Sequence, residues 1–222
     1  MFCSRCGTQI QDNSVSCSKC GMSFAASNRP ALPADKFKNA STDALRAFKT
    51  LASDPVGGLS SAFESLGQDR ALGVGMIFGA LFALGVLLGV YRLVPVWGRP
   101  QGFGGFMRIL VVAVVPFLSL LGATALARMA FRGNGGFGHD SFIAGTSLLP
   151  FGLGAIVAGI LGFGNMEVVA VLALFALCLN ILIIFTGLTR ISKVSEQSAT
   201  IAVPLMFLAS AWLSKIIYSA ML

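Results

Sequence analysis

Four of the five cysteines lie within the first 20 residues, where they form two closely spaced pairs. Both pairs follow the motif Cys-x-x-Cys-Gly, with Cys3 and Cys6 in the first and Cys17 and Cys20 in the second. Two intervening residues let both thiolates of a pair contact one ion, and four thiolates complete the tetrahedral shell of a closed structural zinc site. So short a segment cannot bury a sufficient core, so metal binding must supply its folding free energy. The spacing predicts one structural zinc ion in a small β-type ribbon over residues 1–24.

Paired cysteines also occur in disulfides, in redox sites and in zinc ribbons that bind nucleic acid. Residues 1–40 contain no apolar core of a secretory signal, so we expect this tail to stay in a reducing compartment. A redox Cys-x-x-Cys is normally a single motif in a βαβ setting, unlike this duplicated one. Arg5 and Lys19 are the only basic side chains of residues 1–24, too few to neutralise a row of phosphates. The sequence favours zinc and a protein-contact module, with a nucleic-acid binder as an alternative.

The rest of the chain is far more apolar than a soluble protein. Of its 222 residues, 55% are hydrophobic and 11% are charged, and the mean hydropathy is +0.82. About 18 or more consecutive apolar residues can cross the hydrocarbon core of a bilayer as a helix. Five runs approach or exceed this length: 71–91, 109–127, 142–162, 168–188 and 200–221. The predicted fold class is an all-α membrane protein with five transmembrane helices in residues 70–222, in contact with the lipid bilayer.

Many of the 16 basic residues behind the net charge of +7 lie at the ends of the apolar runs, where they set orientation. With a cytoplasmic N-terminus, the inner side carries five of them: Arg70, Arg128, Arg132, Arg190 and Lys193. The outer side then carries three: Arg92, Arg99 and Arg108. Together with the reduced cysteines, this bias predicts a multi-pass protein of the cell membrane with a cytoplasmic N-terminus and an exterior C-terminus.

Two segments connect the ribbon to the first span. Residues 25–41 contain two prolines and several small polar residues without a sustained period, which predicts a flexible linker. Residues 42–69 carry two short sets of apolar side chains at helical spacing, which predicts amphipathic juxtamembrane helices. Such helices either lie in the membrane interface or pack on the bundle, and the hydrophobic period is the same in both cases.

Small residues spaced by four predict close packing between membrane helices. The first span contains Gly75 with Gly79 and Gly85 with Gly89, and the third contains Gly154 with Ala158 and Ala158 with Gly162.

Side chains that could do chemistry within the membrane are scarce. No ionisable residue occupies the middle of a predicted span, and Asn180 in the fourth is expected to form a hydrogen bond between helices. The neighbouring pair His139 and Asp140 is expected to shape a turn or cap a helix, because adjacent side chains point apart. A Walker-type glycine loop, a nucleophile elbow and a His-Glu-x-x-His motif are all absent from the sequence. We therefore predict no enzymatic activity and no catalytic residues.

The order of motifs from Asp54 to Leu222 is also distinctive. A D-P-x-x-G-L element at 54–59 precedes the first span, a glycine-rich loop at 133–137 leads into the proline-containing third span, and a G-L-T-R-I-S loop at 187–192 precedes the fifth. This layout resembles the Ypt-interacting (Yip) domain family, and the ribbon in front is similar to an arrangement in its bacterial members. The resemblance implies a non-enzymatic membrane adaptor without catalytic residues. The link of eukaryotic members to small GTPases would not carry over to a bacterium.

Three functions remain open. The first is an adaptor or scaffold that docks a partner protein through the ribbon or through cytoplasmic loops, with residues 131–140 as the candidate contact surface. The second is a small transporter, channel or transporter accessory subunit, which requires a polar cavity lined by Asn180, Thr146 and Thr186. The third is a membrane-tethered ribbon that binds nucleic acid, against which the charge of residues 1–24 argues. The oligomeric state is left open, a homo-oligomer included.

Overall fold

The computed structural model describes residue 8 and the ranges 33–93, 102–161 and 166–221. These ranges contain six α-helices, in the order α1 (Pro33–Ser53), α2 (Gly58–Leu93), α3 (Gly102–Ala130), α4 (Phe137–Leu161), α5 (Met166–Thr186) and α6 (Glu196–Met221). A π-helical turn, Gly187–Ile191, continues α5.

Helices α2 to α6 are long and apolar enough to cross a membrane, and each of these apolar segments spans at least 25 residues. The five predicted apolar runs fall within these helices or their π-helical extension, apart from terminal positions outside the described residues. The helices are longer than the runs because polar residues at their ends continue the helical backbone beyond the length that the hydrocarbon core requires. The predicted class, an all-α membrane protein with five membrane-spanning helices, is confirmed.

Helix α1 begins at Pro33, inside the segment 25–41 that we predicted to be a flexible linker. That prediction is wrong for residues 33–41. Proline is well accepted in the first helical turn, and the alanine and lysine residues that follow favour a helix. The remaining residues of the predicted linker lie outside the described ranges.

The juxtamembrane residues pack on the membrane helices. On α1, Ala44, Ala47 and Leu51 are buried, and on the first part of α2 so are Leu59 and Leu66. All of them belong to one hydrophobic core together with residues of α3, α4 and α6. Of the two positions that the sequence left open for residues 42–69, the structure therefore shows packing on the bundle, although Leu45 of the first predicted apolar set is 56% exposed.

The second juxtamembrane helix is continuous with the first span. Its backbone departs from helical geometry at Gly67, where φ is 69° and ψ is 170°. Glycine adopts a positive φ without the steric cost that a side chain would bring. Residues 58–66 and 68–93 are therefore two helical segments that meet at a kink, and the kink sets the direction in which the first span leaves the juxtamembrane segment.

Helices α2 and α4 approach each other through glycine. A Cβ on Gly75 would meet the backbone of Ser141, and one on Gly145 would meet the backbone of Gly75. Farther along the same pair of helices, Gly85 lies against the backbone of Gly152. Such contact between backbones is available only where side chains are absent. The predicted role of the small residues on the first span is confirmed for Gly75 and Gly85.

Gly154, one of the small residues predicted to matter on the third span, does not lie on the face that contacts α2. The contact face of α4 carries Gly145, Gly152 and Gly159, whereas a Cβ on Gly154 would meet no atom within 4 Å. Glycines seven residues apart return to the same helix face after about two turns, but Gly154 lies about 200° around the helix from Gly152. Gly154 therefore lies on a different face of α4, and Gly162 of the second predicted pair lies outside the described residues.

Helix α6 joins the bundle through polar contacts with α3. The Ser119 hydroxyl lies 2.7 Å from the Ser210 hydroxyl and 3.4 Å from that of Ser214. Toward the other end of the pair, the Tyr218 hydroxyl donates a hydrogen bond to the carbonyl oxygen of Val112 at 3.0 Å. Interhelical hydrogen bonds of this kind hold membrane helices together where the surrounding lipid is as apolar as the side chains.

Candidate functional site

Two loops meet at one end of the bundle. The first segment, residues 131–140, comprises the loop between α3 and α4 and the first turn of α4, and the second, residues 187–194, comprises the π-helical turn after α5 and most of the loop before α6. We call these two segments the loop cluster. The backbone N–H of Asn134 donates to the carbonyl oxygen of Ser192 at 2.6 Å, and a Cβ on Gly133 would lie 2.7 Å from the side chain of Val194. Two of the three motifs that carry the resemblance, far apart in sequence, are thus in direct contact.

A buried ion pair lies beneath the first loop. The Arg128 guanidinium donates from Nε to Asp140 Oδ1 at 3.0 Å and from Nη2 to Asp140 Oδ2 at 2.9 Å. The Asp140 side chain is completely buried and that of Arg128 is 15% exposed. Arg128 Nη1 also donates to the carbonyl oxygen of Gly135 at 3.0 Å. A bidentate pair of this geometry is among the strongest hydrogen-bonded contacts in proteins, and it fixes the loop on the helix ends.

The sequence pattern did not predict this pair. Arg128 was assigned only a role in orientation, and Asp140 was grouped with His139. The two charged residues lie on different helices, at the end of α3 and in the first turn of α4, so the contact depends on the hairpin that the short loop makes. An acidic residue in the first turn is also stabilised by the helix dipole. One sequence feature could have indicated this pair. A basic residue ends one apolar run, and an acidic residue begins the next run after a short loop.

His139 shapes the turn that precedes α4, as predicted. Its Nδ1 accepts a hydrogen bond from the backbone N–H of Gly136 at 3.3 Å. Its ring packs on Phe63 of α2, with centroids 4.6 Å apart. Gly135 has a φ of 108°, and a Cβ there would lie 2.6 Å from the imidazole ring. Glycine at this position allows the histidine to close over the loop.

The glycine-rich loop also runs close to the kink of α2. A Cβ on Gly136 would lie 2.6 Å from the side-chain nitrogen of Gln68, and one on Gly138 would lie 2.5 Å from the carbonyl oxygen of Gln68. Gln68 directly follows the kink residue Gly67. The loop is therefore rich in glycine because it passes against backbone and side-chain atoms on both sides.

The third motif of the resemblance forms the turn between α1 and α2. The Asp54 carboxylate accepts a hydrogen bond from the backbone N–H of Gly57 at 2.8 Å, and the Asp54 carbonyl accepts one from Gly58 at 3.1 Å. A Cβ on Gly58 would lie 3.0 Å from the carbonyl oxygen of Thr50. The Asp54 carboxylate and the two glycines of this motif thus form the turn that connects α1 to α2.

The second loop of the cluster begins with the π-helical turn. The Ser192 N–H donates to the carbonyl oxygen of Gly187 at 3.0 Å, and Gly187 packs against the side chain of Ile143. The Ser192 hydroxyl is buried and has no hydrogen-bond partner within the described ranges. π-Helical turns occur frequently at functional sites.

The outer surface of the loop cluster is basic. Arg132 and Lys193, one on each loop, are exposed and have φ angles of 53° and 55°, which non-glycine residues seldom adopt. Arg190, three residues before Lys193 in the chain, is also exposed. Because the loops beneath are tied together by the Asn134–Ser192 hydrogen bond, this surface can offer fixed positive charge to an acidic partner.

The interior of the bundle was the other place where the sequence suggested function. Asn180 is completely buried, and its Nδ2 donates to the Ser147 carbonyl oxygen on α4 at 3.0 Å, which confirms the predicted contact between helices. Three cavities among the helices have almost entirely apolar linings. Thr146 lines one of them, whereas Asn180 and Thr186 line none of the three. These cavities do not provide the polar chamber that a transporter would need.

The four predicted zinc ligands, Cys3, Cys6, Cys17 and Cys20, lie outside the described residues. Within the ranges that are described, no group of three or more histidine, cysteine or acidic side chains could hold a metal ion. The fifth cysteine, Cys178, lies exposed on α5 as a free thiol.

Comparison with known proteins identifies the ribbon. Residues 2–24 match a family model of the zinc-ribbon domain, and this segment contains both cysteine pairs. Four thiolates form a donor set that zinc prefers, so the chemistry fits the match. No curated protein and no solved structure matches the chain. The chain therefore combines a zinc-ribbon domain with five helices of membrane-spanning type, and its likeness to the Yip family stays a prediction.

Proposed function

We propose that this protein is a non-enzymatic membrane adaptor of the Yip type, which docks a partner protein at its zinc ribbon and loop cluster. The observation that carries the proposal is the construction of the loop cluster. The buried Arg128–Asp140 pair and the Asn134–Ser192 hydrogen bond hold two loops as one surface, and that surface exposes basic side chains. A recognition surface benefits from being held rigid, because less entropy is lost when a partner binds.

The ribbon is proposed to bind one structural zinc ion through Cys3, Cys6, Cys17 and Cys20. The metal would fold the segment and would take no part in a reaction, since four thiolates leave no open coordination position for a substrate. Its function in this proposal is to present a small folded surface to the same partner. The low positive charge of residues 1–24 favours protein over nucleic acid.

The proposed orientation places the N-terminus and the loop cluster in the cytoplasm and the C-terminus outside the cell membrane. Reporter fusions at Asn39 and after Leu222 should then give opposite signals, because an odd number of spans separates them. Signals on the same side from both fusions would contradict five crossings, and an inverted pair would place the loop cluster outside.

A transporter or channel is the second candidate. The observation in its favour is that Asn180 Oδ1 and Thr146 Oγ1 are buried in the membrane helices and have no hydrogen-bond partner among the residues that the structure describes. Buried polar groups of this kind are often functional in membrane proteins. The apolar linings of the three cavities favour the adaptor, because a transporter or channel would need a polar chamber.

The adaptor proposal is tested by affinity purification in mild detergent from cells that produce one of four proteins. These are the intact chain, a chain lacking residues 1–32, the double variant Arg132→Glu with Lys193→Glu, and the control Arg46→Glu with Lys49→Glu. The control reverses two exposed basic residues of α1 and leaves the loop cluster intact. We expect the deletion and the loop variant to lose the partner and the control to keep it. Equal recovery by all four proteins would overturn the proposal.

A further inference from the structure

A cavity of about 310 Å³ lies between α1, α4 and α5, and we call it the α1 cavity. Phe48 and Leu51 line it from α1, Leu149 and Leu153 from α4, and Leu172 and Phe175 from α5. A second cavity of about 490 Å³, lined by residues of α2 to α6, shares Gly154, Leu172 and Ala176 with it. The two cavities therefore adjoin inside the bundle.

The small residues of α4 and α5 leave this space open. In membrane proteins such residues usually bring two helices into backbone contact. Here a Cβ on Gly154 would meet nothing within 4 Å, while Ala176 lines both cavities. Protein interiors are close-packed, because a void forfeits the dispersion contacts of its lining. A ligand that matches the apolar lining would restore those contacts.

One polar group of the α1 cavity indicates that the ligand also carries a hydrogen-bond acceptor. Thr146 lines the cavity and is 2% exposed, and in the described part of the chain its hydroxyl has no hydrogen-bond partner. A hydroxyl buried without a partner is costly. Thr146 follows Phe142, the start of the predicted third span, by four residues, which corresponds to about 6 Å along a helix. This depth is close to the boundary where the polar part of a phospholipid meets its hydrocarbon chains.

The cavity is accessible from the lipid. Leu153 and Phe175, which line it, are 48% and 61% exposed on the outer surface of α4 and α5. In a helix bundle of this kind that surface faces the bilayer, so a lipid chain can enter sideways without crossing the protein.

We propose that the α1 cavity holds one acyl chain of a glycerophospholipid from the leaflet on the side of the loop cluster. The chain enters between Leu153 and Phe175 and fills the space left by Gly154 and Ala176. When the lipid binds, the Thr146 side chain turns its hydroxyl, which is sealed from the empty cavity, toward the ester carbonyl of that lipid and donates a hydrogen bond to it. Helix α1 covers the bound chain through Phe48 and Leu51. This inference does not depend on the adaptor function.

The test uses the full-length protein in phosphatidylethanolamine vesicles, where a small fraction of the lipid carries a photoactivatable diazirine in one acyl chain. Irradiation attaches the chain to nearby residues, and mass spectrometry locates the adducts. We expect adducts in peptides from α1, α4 and α5 around the cavity, in clear excess over those on the lipid-facing side of α6. Equal labelling of all lipid-facing helices would mean that only the surrounding bilayer had been sampled and would overturn the proposal.

Two variants and a matched control sharpen this test. Gly154→Leu fills the cavity, and we expect it to lower the cavity adducts about tenfold, because the new side chain occupies the space of the acyl chain. Gly122→Leu is the control, since Gly122 also has an open Cβ position in a membrane helix but lines none of the three cavities. Equal labelling of these two folded variants would refute the site.

Thr146→Val retains the shape of the side chain and removes the hydrogen bond. We expect it to lower the amount of lipid retained in the cavity about fivefold, which corresponds to the loss of one net hydrogen bond. This variant tests the proposal if Gly154→Leu does not fold. Unchanged retention in Thr146→Val would refute the assigned contact.

Discussion

Helix α4 carries glycine on two of its faces, and the two faces pack in opposite ways. Toward α2, Gly145 and Gly152 bring two backbones into contact. Toward α5, Gly154 borders cavities, and α5 itself is among the least buried of the membrane helices. Glycine therefore does not specify close packing by its presence. It does so where the backbone of the facing helix comes close and no side chain fills the gap, as at Gly75 and Gly85.

Among the variants that test this difference between the two faces of α4, we expect Gly145→Leu to have the largest effect. A side chain there would drive into the backbone of Gly75, and backbone atoms cannot turn aside as a side chain can. We expect the variant to lose the folded bundle, seen as aggregation in detergent and loss of a cooperative thermal transition. Gly154→Leu, on the open face of the same helix, should melt within a few degrees of the wild type. A stable Gly145→Leu protein would show that the glycine contact is not essential.

The loop cluster at the end of α4 provides the next largest effect. Asp140→Leu leaves the Arg128 guanidinium buried without its partner, and we expect a loss of about 3–5 kcal/mol in the free energy of unfolding. The double variant Arg128→Met with Asp140→Leu removes both charges and should recover much of that loss. Denaturant titration of the two proteins measures the difference. If the double variant is no more stable than the single one, charge burial is not the cause.

A smaller effect is expected where α4 meets α5 through Asn180. Asn180→Leu removes the hydrogen bond to the Ser147 carbonyl, and interhelical hydrogen bonds in membranes contribute about 0.6 kcal/mol on average. The Asn180 Oδ1 atom has no partner in the wild type, so its loss offsets part of that cost. We expect a shift in melting temperature that is barely resolved. A loss of several kcal/mol would mean that Asn180 has further partners in the membrane.

The smallest effect on the bundle is expected from loss of zinc. Cys6→Ser removes one of four predicted ligands, so elemental analysis should fall from about one zinc ion per chain to near none. The melting temperature of the membrane helices should not change, because metal loss unfolds only the ribbon. Full zinc occupancy in Cys6→Ser would exclude Cys6 as a ligand, and a lower melting temperature would show that the ribbon supports the bundle.

The sequence predicts the number of membrane-spanning helices and the zinc-ribbon domain because both depend on local properties. Apolar length determines whether a helix can span, and the spacing of Cys3 and Cys6 determines whether two thiolates can contact one ion. The Arg128–Asp140 pair and the partner of each glycine face were not predictable in this way. They depend on which helices become neighbours, and the hydropathy of a span is nearly the same whichever neighbour it has.

The helical start of residues 33–41 was missed for a related reason. Proline and small polar residues indicate a linker when they stand alone, but the same residues begin a helix when the apolar positions that follow are buried. Burial of Ala44, Ala47 and Leu51 on the bundle supplies the stability that the local sequence lacks. Because these contacts stabilise α1, the helix begins nearer the N-terminus than its hydrophobic period alone predicts.

The Arg128–Asp140 contact also bears on the order in which the chain folds. It closes a loop of only 12 residues, so little chain entropy is lost when it forms, and it can form as soon as the first turn of α4 has been synthesised. Helices α3 and α4 would then enter the bilayer as a preformed hairpin. The glycine face of α4 becomes available at that stage to α2, which has already been made. Helices α5 and α6 arrive last, on a template whose register is already set.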